Sequence, residues 1–298
     1  MAERATTDFA ADRAAVALAL DALAARALGS AKDPVAEAIR YAIAGEGKRL
    51  RAILVIEAHR AAGGTQDVSG LAAAVEVVHA YSLVHDDLPC MDNDEMRRGR
   101  ATAHMVYGVR VATAAGMAMV PLAARAALEA AAGLGLAPEV QGEIVRTLMR
   151  ASGATGMIGG QLLDLEGEGI ALDLAALERV HRLKTGALIV ASMRIGGLSA
   201  GASPKLLEAF ARYGESVGLA FQIADDVLDV TATTDQLGKT AGKDVRHQKS
   251  TYPALLGVAG AQARAESLVE QACQELREQD ALTPALASLA QFIINRRS

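Results

Sequence analysis

The sequence predicts an all-α protein, and three observations support that fold class. Of the 298 residues, 51% are hydrophobic and only 3% are aromatic, and the apolar stretches are rich in Ala and Leu, two of the strongest helix formers. Apolar residues recur every three or four positions through most of the chain. No run alternates apolar and polar residues for long enough to indicate a sheet.

Eight helices follow from this spacing, in chain order. They are predicted at residues 14–28, 35–44, 50–61, 71–84, 140–151, 174–183, 206–230 and 263–276. The pattern is interrupted at 63–64, 133–138, 167–169, 196–204 and 231–243, where glycine, proline and polar residues collect. Because no segment has the composition of an interdomain linker, residues 1–298 are expected to form a single domain.

Composition argues against several function classes. A formal net charge of −5 at pH 7 without a dominant basic face argues against a nucleic-acid partner. The longest charge-free apolar run, residues 111–124, contains Pro121 and is shorter than the roughly 20 residues that cross a membrane, so no membrane span is expected. The two cysteines are too few for a disulfide framework. With no signal-peptide pattern at the N-terminus, the expected location is cytoplasmic.

Two clusters of aspartate each lie at the end of an apolar helical stretch. Their members are Asp86, Asp87 and Asp92 in the first cluster and Asp225, Asp226 and Asp229 in the second. A carboxylate at a helix C-terminus opposes the macrodipole at a cost of roughly 0.3–1 kcal/mol when exposed, so a cluster of them favours a neutralising cation. Carboxylate oxygens suit Mg²⁺, which also takes water and substrate phosphates as ligands.

The local geometry of the two clusters is expected to differ. The outer aspartates of the second cluster are four residues apart and therefore share one helix face. In the first cluster, Pro89 lacks an N–H and disfavours helical geometry at the residue before it. The helix is therefore expected to end near Asp87, and a short loop can then bring Asp92 back beside Asp86.

Basic side chains accompany both clusters. Lys48 and Arg51 are three residues apart on one helix face, a geometry that suits one phosphate group. Five more follow the clusters along the chain, namely Arg97, Arg98, Lys239, Lys243 and Lys249. A lysine or arginine considered alone is more often a solvated surface group than part of a binding site. Beside two carboxylate clusters, they indicate a site for Mg²⁺ and a polyphosphate.

Five sequence motifs occur in a fixed order along the chain. The two aspartate motifs read HDDLPCMD at 85–92, followed by RRG at 97–99, and FQIADDVLD at 221–229. The triplets are GGQ at 159–161, KTG at 184–186 and TYP at 251–253. Over residues 45–256 the chain resembles the trans-prenyl diphosphate synthases, most closely the bacterial farnesyl diphosphate synthases. The resemblance implies an isoprenoid synthase helical bundle around a central cavity, usually assembled as a homodimer.

Members of that family join an allylic diphosphate to isopentenyl diphosphate, head to tail. The resemblance implies three Mg²⁺ ions per active site, with Mn²⁺ as an expected substitute, acting as Lewis acids on the leaving diphosphate. A dry, apolar cavity keeps water from the allylic cation, and no side-chain nucleophile is needed. The implied partners are the two diphosphate substrates.

The same resemblance implies a role for each matching residue. The metal site comprises Asp86, Asp92 and Asp225 as direct ligands, with Asp87, Asp226 and Asp229 either contacting the ions through water or supporting the direct ligands. Contacts to the allylic diphosphate are Arg97, Lys184, Gln222, Lys239 and Lys249. The isopentenyl diphosphate pocket is Lys48, Arg51, His79 and Arg98. The cation is stabilised by Thr185 and the backbone around Lys184, with Gly186 permitting a helix break that exposes them. The catalytic candidates are Lys184, Thr185, Gln222 and Lys239.

Product length is expected to depend on Tyr81, five residues before Asp86. A helical turn rises about 5.4 Å, comparable to one isoprene unit, so this residue lies roughly one and a half turns along the path of the growing chain. A bulky ring at this position resembles the synthases that make farnesyl diphosphate (C15), and we expect that product.

Three alternatives stay open. The first is a synthase of geranylgeranyl diphosphate (C20), because the sequence PCMDN at 89–93 is frequent in those enzymes. A class I terpene cyclase shares the fold and one Asp-rich motif, but usually lacks the second aspartate motif and the pocket at Lys48 and Arg51. A non-catalytic subunit of a heteromeric synthase is suggested by Met117, where the family usually has an acidic residue.

Overall fold

The computed structural model describes residues 9–45, 47–231 and 250–295, and over these residues the chain is almost entirely helical. The all-α prediction is therefore confirmed. The first helices are α1 (Ala10–Leu28), α2 (Pro34–Ile43), α3 (Leu50–Ala61) and α4 (Ser69–Asp86). A short antiparallel hairpin follows, formed by β1 (Met96–Arg97) and β2 (Arg100–Ala101). Next come α5 (Ala103–Tyr107), α6 (Val109–Gly133), α7 (Pro138–Ser152) and α8 (Met157–Glu166).

The later helices complete the bundle. They are α9 (Leu174–His181), a π-helical turn (Arg182–Gly186), α10 (Ala187–Ser199), α11 (Pro204–Thr231), α12 (Tyr252–Arg277) and α13 (Pro284–Asn295). The eight helices expected from the sequence are present, whereas α5, α6, α8, α10 and α13 are missed by apolar spacing. In α6 nearly every residue is apolar, so no period marks one face, and Pro121 lies inside the helix although proline usually ends one. In α12, Gly257 has a φ of 69° and separates the first turn from the regular pattern beyond it.

α3 and α10 lie at the centre of the molecule, between two hydrophobic cores. Ala52 and Val55 of α3 belong to the core with α1, α2, α4, α6 and α7. Ile53 and Leu54 belong to the core with α11, α12 and α13. Because residues 52–59 of α3 are all buried, the helix is enclosed on nearly all sides. Gly196 of α10 permits the close crossing, because a Cβ there would overlap the carbonyl oxygen of Val55.

By length and composition alone, α6 is apolar enough to cross a membrane. In the structure, Ala112, Ala115 and Met119 on this helix are fully buried within the bundle, and 44% of its most apolar window is buried. Core helices of this kind pass the same test, so α6 is weak support for a span. The absence of a membrane span stays a prediction.

Candidate active site

The first aspartate cluster lies where α4 ends. The helix ends at Asp86, and in the turn that follows Leu88 N donates to His85 O at 3.1 Å. Beyond Pro89 the chain returns, so that Asp92 N donates to Asp86 O at 2.8 Å. The structure therefore confirms both the helix end and the return of Asp92 to Asp86.

Negative charge is crowded in this cluster. Burial raises the pKa of Asp86 to about 6; Lys184 opposes the rise, and the neighbouring Asp92 adds to it. A raised carboxyl pKa means that the ionised form is poorly compensated by its surroundings. A cation bound beside Asp86 and Asp92 would stabilise the ionised pair.

Asp87 makes a separate contact with the hairpin. Its side chain is 4% exposed, and Oδ1 accepts a hydrogen bond from Arg97 Nε at 2.7 Å and lies 2.6 Å from Arg97 Nη2. Burial raises the pKa of Asp87, and the Arg97 guanidinium opposes that rise. Because Arg97 belongs to β1, the pair ties the hairpin to the end of α4.

Arg98 lies in the turn of the hairpin. Arg98 and Gly99 have φ angles of 52° and 75°, and two positive angles in a two-residue turn are typical of type I′. A non-glycine residue with positive φ is uncommon. The Arg98 guanidinium packs on Gly47, where a Cβ would overlap Nη1, so the turn presents Arg98 to the chain that leads into α3.

Glu76 of α4 holds the start of α3. It is 3% exposed, Oε2 accepts from Arg49 Nη1 at 3.0 Å, and Oε1 accepts from Ala52 N at 3.2 Å. Arg49 also donates to the carbonyl oxygen of Gly45 at 2.7 Å. Sequence reasoning missed Glu76 and Arg49. The signal that could have found them is a lone acid ten residues before Asp86 in an otherwise apolar stretch.

Basic side chains line a cleft of about 80 Å³ next to this region, and His79, Arg97 and Arg98 are among its walls. Burial lowers the pKa of His79 well below its usual range, and the guanidinium groups of Arg51 and Arg98 lower it further. His79 is therefore neutral at pH 7. Arg51 also interacts electrostatically with Asp225 of the second cluster. The charge of the cleft suits a diphosphate.

The second cluster, in the last turns of α11, contains three different environments. Asp225 is partly exposed. Asp226 is 5% exposed, and its Oδ2 accepts from Tyr252 N at 3.0 Å. Asp229 is 7% exposed, and its Oδ2 has no hydrogen-bond partner among the described residues. Such a buried oxygen costs free energy, and a cation or an ion-bound water would satisfy it.

The π-helical turn between α9 and α10 carries Lys184 and Thr185. Thr185 Oγ1 donates to Gln222 Oε1 at 2.7 Å, which ties the turn to α11. The prediction of a helix break at Gly186 is wrong. Gly186 has helical backbone angles, with φ of −65° and ψ of −39°, and the chain continues into α10. A widened turn inside a helix is frequent at functional sites, and here it replaces the break.

Two residues of α8 complete this side of the site. Asp164 Oδ2 accepts from Lys184 Nζ at 2.6 Å, a contact that sequence reasoning missed. Three residues earlier, Gln161 is buried, and neither atom of its amide has a hydrogen-bond partner in the described part of the chain. Residues that are three positions apart lie on one helix face. This spacing of two polar side chains is the feature of the sequence that could have indicated their role in the site.

Gly160 allows α8 to contact the π-helical turn closely, because a Cβ at this position would overlap the backbone N and Cα of Lys184. Gly160→Ala is expected to lower kcat at least tenfold and to lower Tm by about 2–8 °C, since overpacking costs roughly 1–3 kcal/mol. Calorimetry and steady-state rates measure both. Gly142→Ala in α7 is the matched control, because its Cβ would meet nothing within 4 Å. Equal Tm and kcat in the two variants would contradict the close contact.

Tyr81 lies in α4, buried and 3% exposed. Its ring meets His85 edge-on with the centroids 5.7 Å apart, and its hydroxyl donates to Ser152 O, the last residue of α7, at 3.2 Å. Burial raises the pKa of Tyr81 to about 12. The ring is therefore fixed between two helices, with its hydroxyl protonated.

The remaining expected residues lie at the edge of the site or beyond the described chain. Lys48 Nζ is 5.8 Å from the centroid of the Phe292 ring of α13. Lys239 and Lys249 lie outside the described residues.

The carboxylates fit Mg²⁺ on chemical grounds. Within residues 9–45, 47–231 and 250–295, no group of three His, Cys, Asp or Glu side chains could hold a metal ion by itself. Mg²⁺ is usually bound by one or two carboxylates, with substrate phosphates and water completing its shell. The crowded charge at Asp86 and the unsatisfied oxygen of Asp229 match that requirement.

Comparison with known proteins identifies the family. The polyprenyl synthetase family profile matches residues 32–289. The chain is 46% identical to farnesyl diphosphate synthase of Escherichia coli over 88% of this chain and 89% of that protein. It is 40% identical to geranylgeranyl diphosphate synthase of Cyanophora paradoxa over 88% and 87% of the two chains. A crystal structure of Helicobacter pylori geranyltransferase, complexed with magnesium and isoprenyl diphosphate, superposes with a TM-score of 0.77 at 28% identity, covering 97% and 98%. The chain therefore belongs to the polyprenyl synthetase family and is a prenyltransferase.

Proposed function

We propose that this prenyltransferase condenses isopentenyl diphosphate with dimethylallyl or geranyl diphosphate to give mainly farnesyl diphosphate (C15). The observation that carries the proposal is that Asp87 of the first cluster lines the basic cleft, while Arg51, whose charge lowers the pKa of His79 in that cleft, interacts electrostatically with Asp225 of the second cluster. The buried ring of Tyr81 supports a C15 product. A C20 product is the second candidate, favoured by the relative from Cyanophora paradoxa.

The ions expected at the carboxylates are Mg²⁺, three per site, with Mn²⁺ as a substitute. Asp86 and Asp92 would hold two and Asp225 the third, with Asp229 nearby. The unsatisfied Oδ2 of Asp229 supports this assignment, and the magnesium bound to the Helicobacter pylori protein supports the choice of ion. When bound, the ions stabilise the negative charge that develops on the departing diphosphate.

The allylic diphosphate is bound by basic side chains on several elements. Lys184, held by Asp164, and Arg97, held by Asp87, place fixed positive charge near the first cluster, where it favours the departing diphosphate. Lys239 and Lys249 are proposed for the same group. Isopentenyl diphosphate binds at the cleft, where His79 and Arg98 are among the walls, together with Lys48 and Arg51 at the start of α3. A neutral His79 can donate a hydrogen bond there without adding charge.

The π-helical turn stabilises the developing allylic cation. The hydroxyl oxygen of Thr185 and the backbone carbonyls around Lys184 present partial negative charge, which favours a cation. Gln222 fixes the Thr185 side chain through the 2.7 Å hydrogen bond. The apolar residues of α4 and α6 exclude water from the cation.

A homodimer is proposed, formed through α6. Val109, Met117 and Leu128 on this helix are 46%, 66% and 45% exposed, and their spacing keeps them within about 100° of its circumference. A second copy of the chain would cover this face. Leu128→Glu is expected to yield monomer by size-exclusion chromatography with light scattering, whereas Leu18→Glu in α1 leaves a dimer. A dimer that survives Leu128→Glu would contradict the use of α6.

The test of the activity is one incubation with Mg²⁺, labelled isopentenyl diphosphate and dimethylallyl or geranyl diphosphate, followed by mass analysis. Mg²⁺-dependent C15 diphosphate is the expected product. C20 diphosphate as the main product would favour the second candidate. A hydrocarbon would indicate a cyclase, and the absence of product would indicate a non-catalytic subunit.

A further inference from the structure

Glu76 is a buried carboxylate in the wall of the basic cleft, which it lines together with Arg49 and Arg98. By its charge alone, a carboxylate there opposes the binding of a diphosphate. We propose that Glu76 is instead a positioning residue for isopentenyl diphosphate, because it fixes the first turn of α3 and with it Lys48 and Arg51. The inference rests on the proposed function, which places isopentenyl diphosphate at this cleft.

One oxygen of Glu76 caps α3 from a different helix. The residue that precedes α3 is Arg49, whose side chain has no hydrogen-bond acceptor and cannot cap the helix as Ser, Thr or Asp would. Glu76 Oε1 accepts from Ala52 N, the third residue of α3, at 3.2 Å. A carboxylate at a helix N-terminus is also favoured by the macrodipole. Glu76 of α4 therefore supplies the cap that the local sequence lacks.

The other oxygen holds Arg49 in an unusual conformation. Arg49 has φ of 51° and ψ of 33°, a left-handed conformation that a non-glycine residue keeps only where its surroundings enforce it. Glu76 Oε2 accepts from Arg49 Nη1 at 3.0 Å. Arg49 Nη2 donates to the carbonyl oxygens of Ile43, the last residue of α2, and Gly45. The ion pair thus joins the end of α2 and the start of α3 to α4.

The charge of Glu76 also acts on the arginines of the pocket. Burial lowers the pKa of Arg51 and of Arg98, and at each of them the charge of Glu76 is the largest influence that opposes the decrease. Glu76 therefore compensates part of the cost of burying these guanidinium groups before a diphosphate binds. Because both of its oxygens already accept from the protein, Glu76 acts through these groups rather than by contacting the substrate.

Glu76→Gln separates positioning from simple charge. The variant keeps the size of the side chain, but a single amide oxygen cannot accept from both Ala52 N and Arg49 Nη1. Removal of a negative charge alone would lower KM for isopentenyl diphosphate. We expect KM for isopentenyl diphosphate to rise about tenfold or more instead, since a small misplacement of binding groups is costly. The values of kcat and of KM for the allylic diphosphate are expected to change by less than about threefold.

Glu57→Gln is the matched control. Glu57 is a second buried glutamate, 4% exposed and ion-paired with Arg60, and it lies towards the opposite end of α3. Both variants are expected to lower Tm of the ligand-free chain, Glu76→Gln by about 5 °C or more, because each removes the charge of a buried carboxylate from an ion pair. Glu57→Gln is expected to leave KM for isopentenyl diphosphate within about twofold of the wild type. A loss of stability alone therefore does not reproduce the expected change in KM.

Arg49→Met removes the same ion pair from its other side. It is expected to raise KM for isopentenyl diphosphate by a factor similar to that of Glu76→Gln. In the double variant, Glu76→Gln should add less than about threefold to the effect of Arg49→Met, because residues that act as one unit are not additive. Full additivity of the two changes would contradict the role of the pair.

The dissociation constant of isopentenyl diphosphate, measured by isothermal titration calorimetry without an allylic substrate, distinguishes the inference from the function on which it rests. Binding that is about tenfold weaker in Glu76→Gln, with no condensation product from the wild type, would support the positioning role while the proposed function fails. A wild type that condenses the substrates, with unchanged or tighter binding in Glu76→Gln, would overturn the inference and leave the function intact. An equal rise of both KM values in Glu76→Gln would also overturn it.

Discussion

Asp86→Asn is expected to lower kcat at saturating Mg²⁺ by a factor of about 10²–10³. The substitution keeps the size of the side chain and removes the charge that Asp86 and Asp92 offer together to an ion. Weaker retention of that ion leaves the departing diphosphate less stabilised in the transition state. Initial rates with labelled isopentenyl diphosphate and a saturating allylic diphosphate measure the effect.

The control for this substitution is Asp173→Asn. Asp173 caps α9 by accepting from Ala176 N at 2.8 Å, and asparagine caps a helix about as well as aspartate. Its kcat is expected to equal that of the wild type. A kcat for Asp86→Asn within tenfold of the wild type would show that ion binding does not depend on this carboxylate.

Tyr81→Ala is expected to change the main product from C15 to C20 or longer. The ring of Tyr81 contacts His85 edge-on and its hydroxyl donates to the Ser152 carbonyl oxygen, so we expect the ring to keep its position and to block a growing chain. Alanine removes that obstacle and leaves space for another isoprene unit. Mass analysis of the products at equal conversion measures the shift, and an unchanged product would show that another residue limits the chain.

Tyr81→Phe is the control, because it keeps the ring and removes only the hydroxyl. C15 is expected to remain the main product, with a loss of stability of about 0.5–1.5 kcal/mol for the hydrogen bond to Ser152 O. Tyr81→Ala empties a buried site and is expected to cost about 3–5 kcal/mol, so its assays belong well below its Tm. A longer product from Tyr81→Phe would mean that the anchor, rather than the ring, sets the length.

Local chemistry made the backbone geometry of the first cluster predictable. The missing N–H of Pro89 and its effect on Leu88 depend on neighbouring residues alone, so the end of α4 and the return of Asp92 could be foreseen. The same holds for Asp225 and Asp229, whose spacing places them on one face of any regular helix.

Contacts between distant elements were not predictable in this way. Glu76 meets Arg49 across 27 positions, and Asp164 meets Lys184 across 20, and both contacts depend on how helices pack. The π-helical turn was not predictable either. There α8 contacts the backbone of Lys184 at Gly160, and no local sequence pattern indicates that contact. The prediction of a helix break at Gly186 was wrong because glycine permits a break but does not require one.

The hydrogen bond from Asp92 N to Asp86 O has a consequence for how the site gains affinity. It joins the two residues proposed as ion ligands, Asp86 and Asp92, in one closed loop before any ion binds, so their arrangement is preorganised as in a synthetic chelator. The conformational entropy of bringing them together is lost during folding, and an ion that binds later loses less. Residues 88–91, which contribute no carboxylate, therefore help to determine metal affinity through the rigidity of the loop that they form.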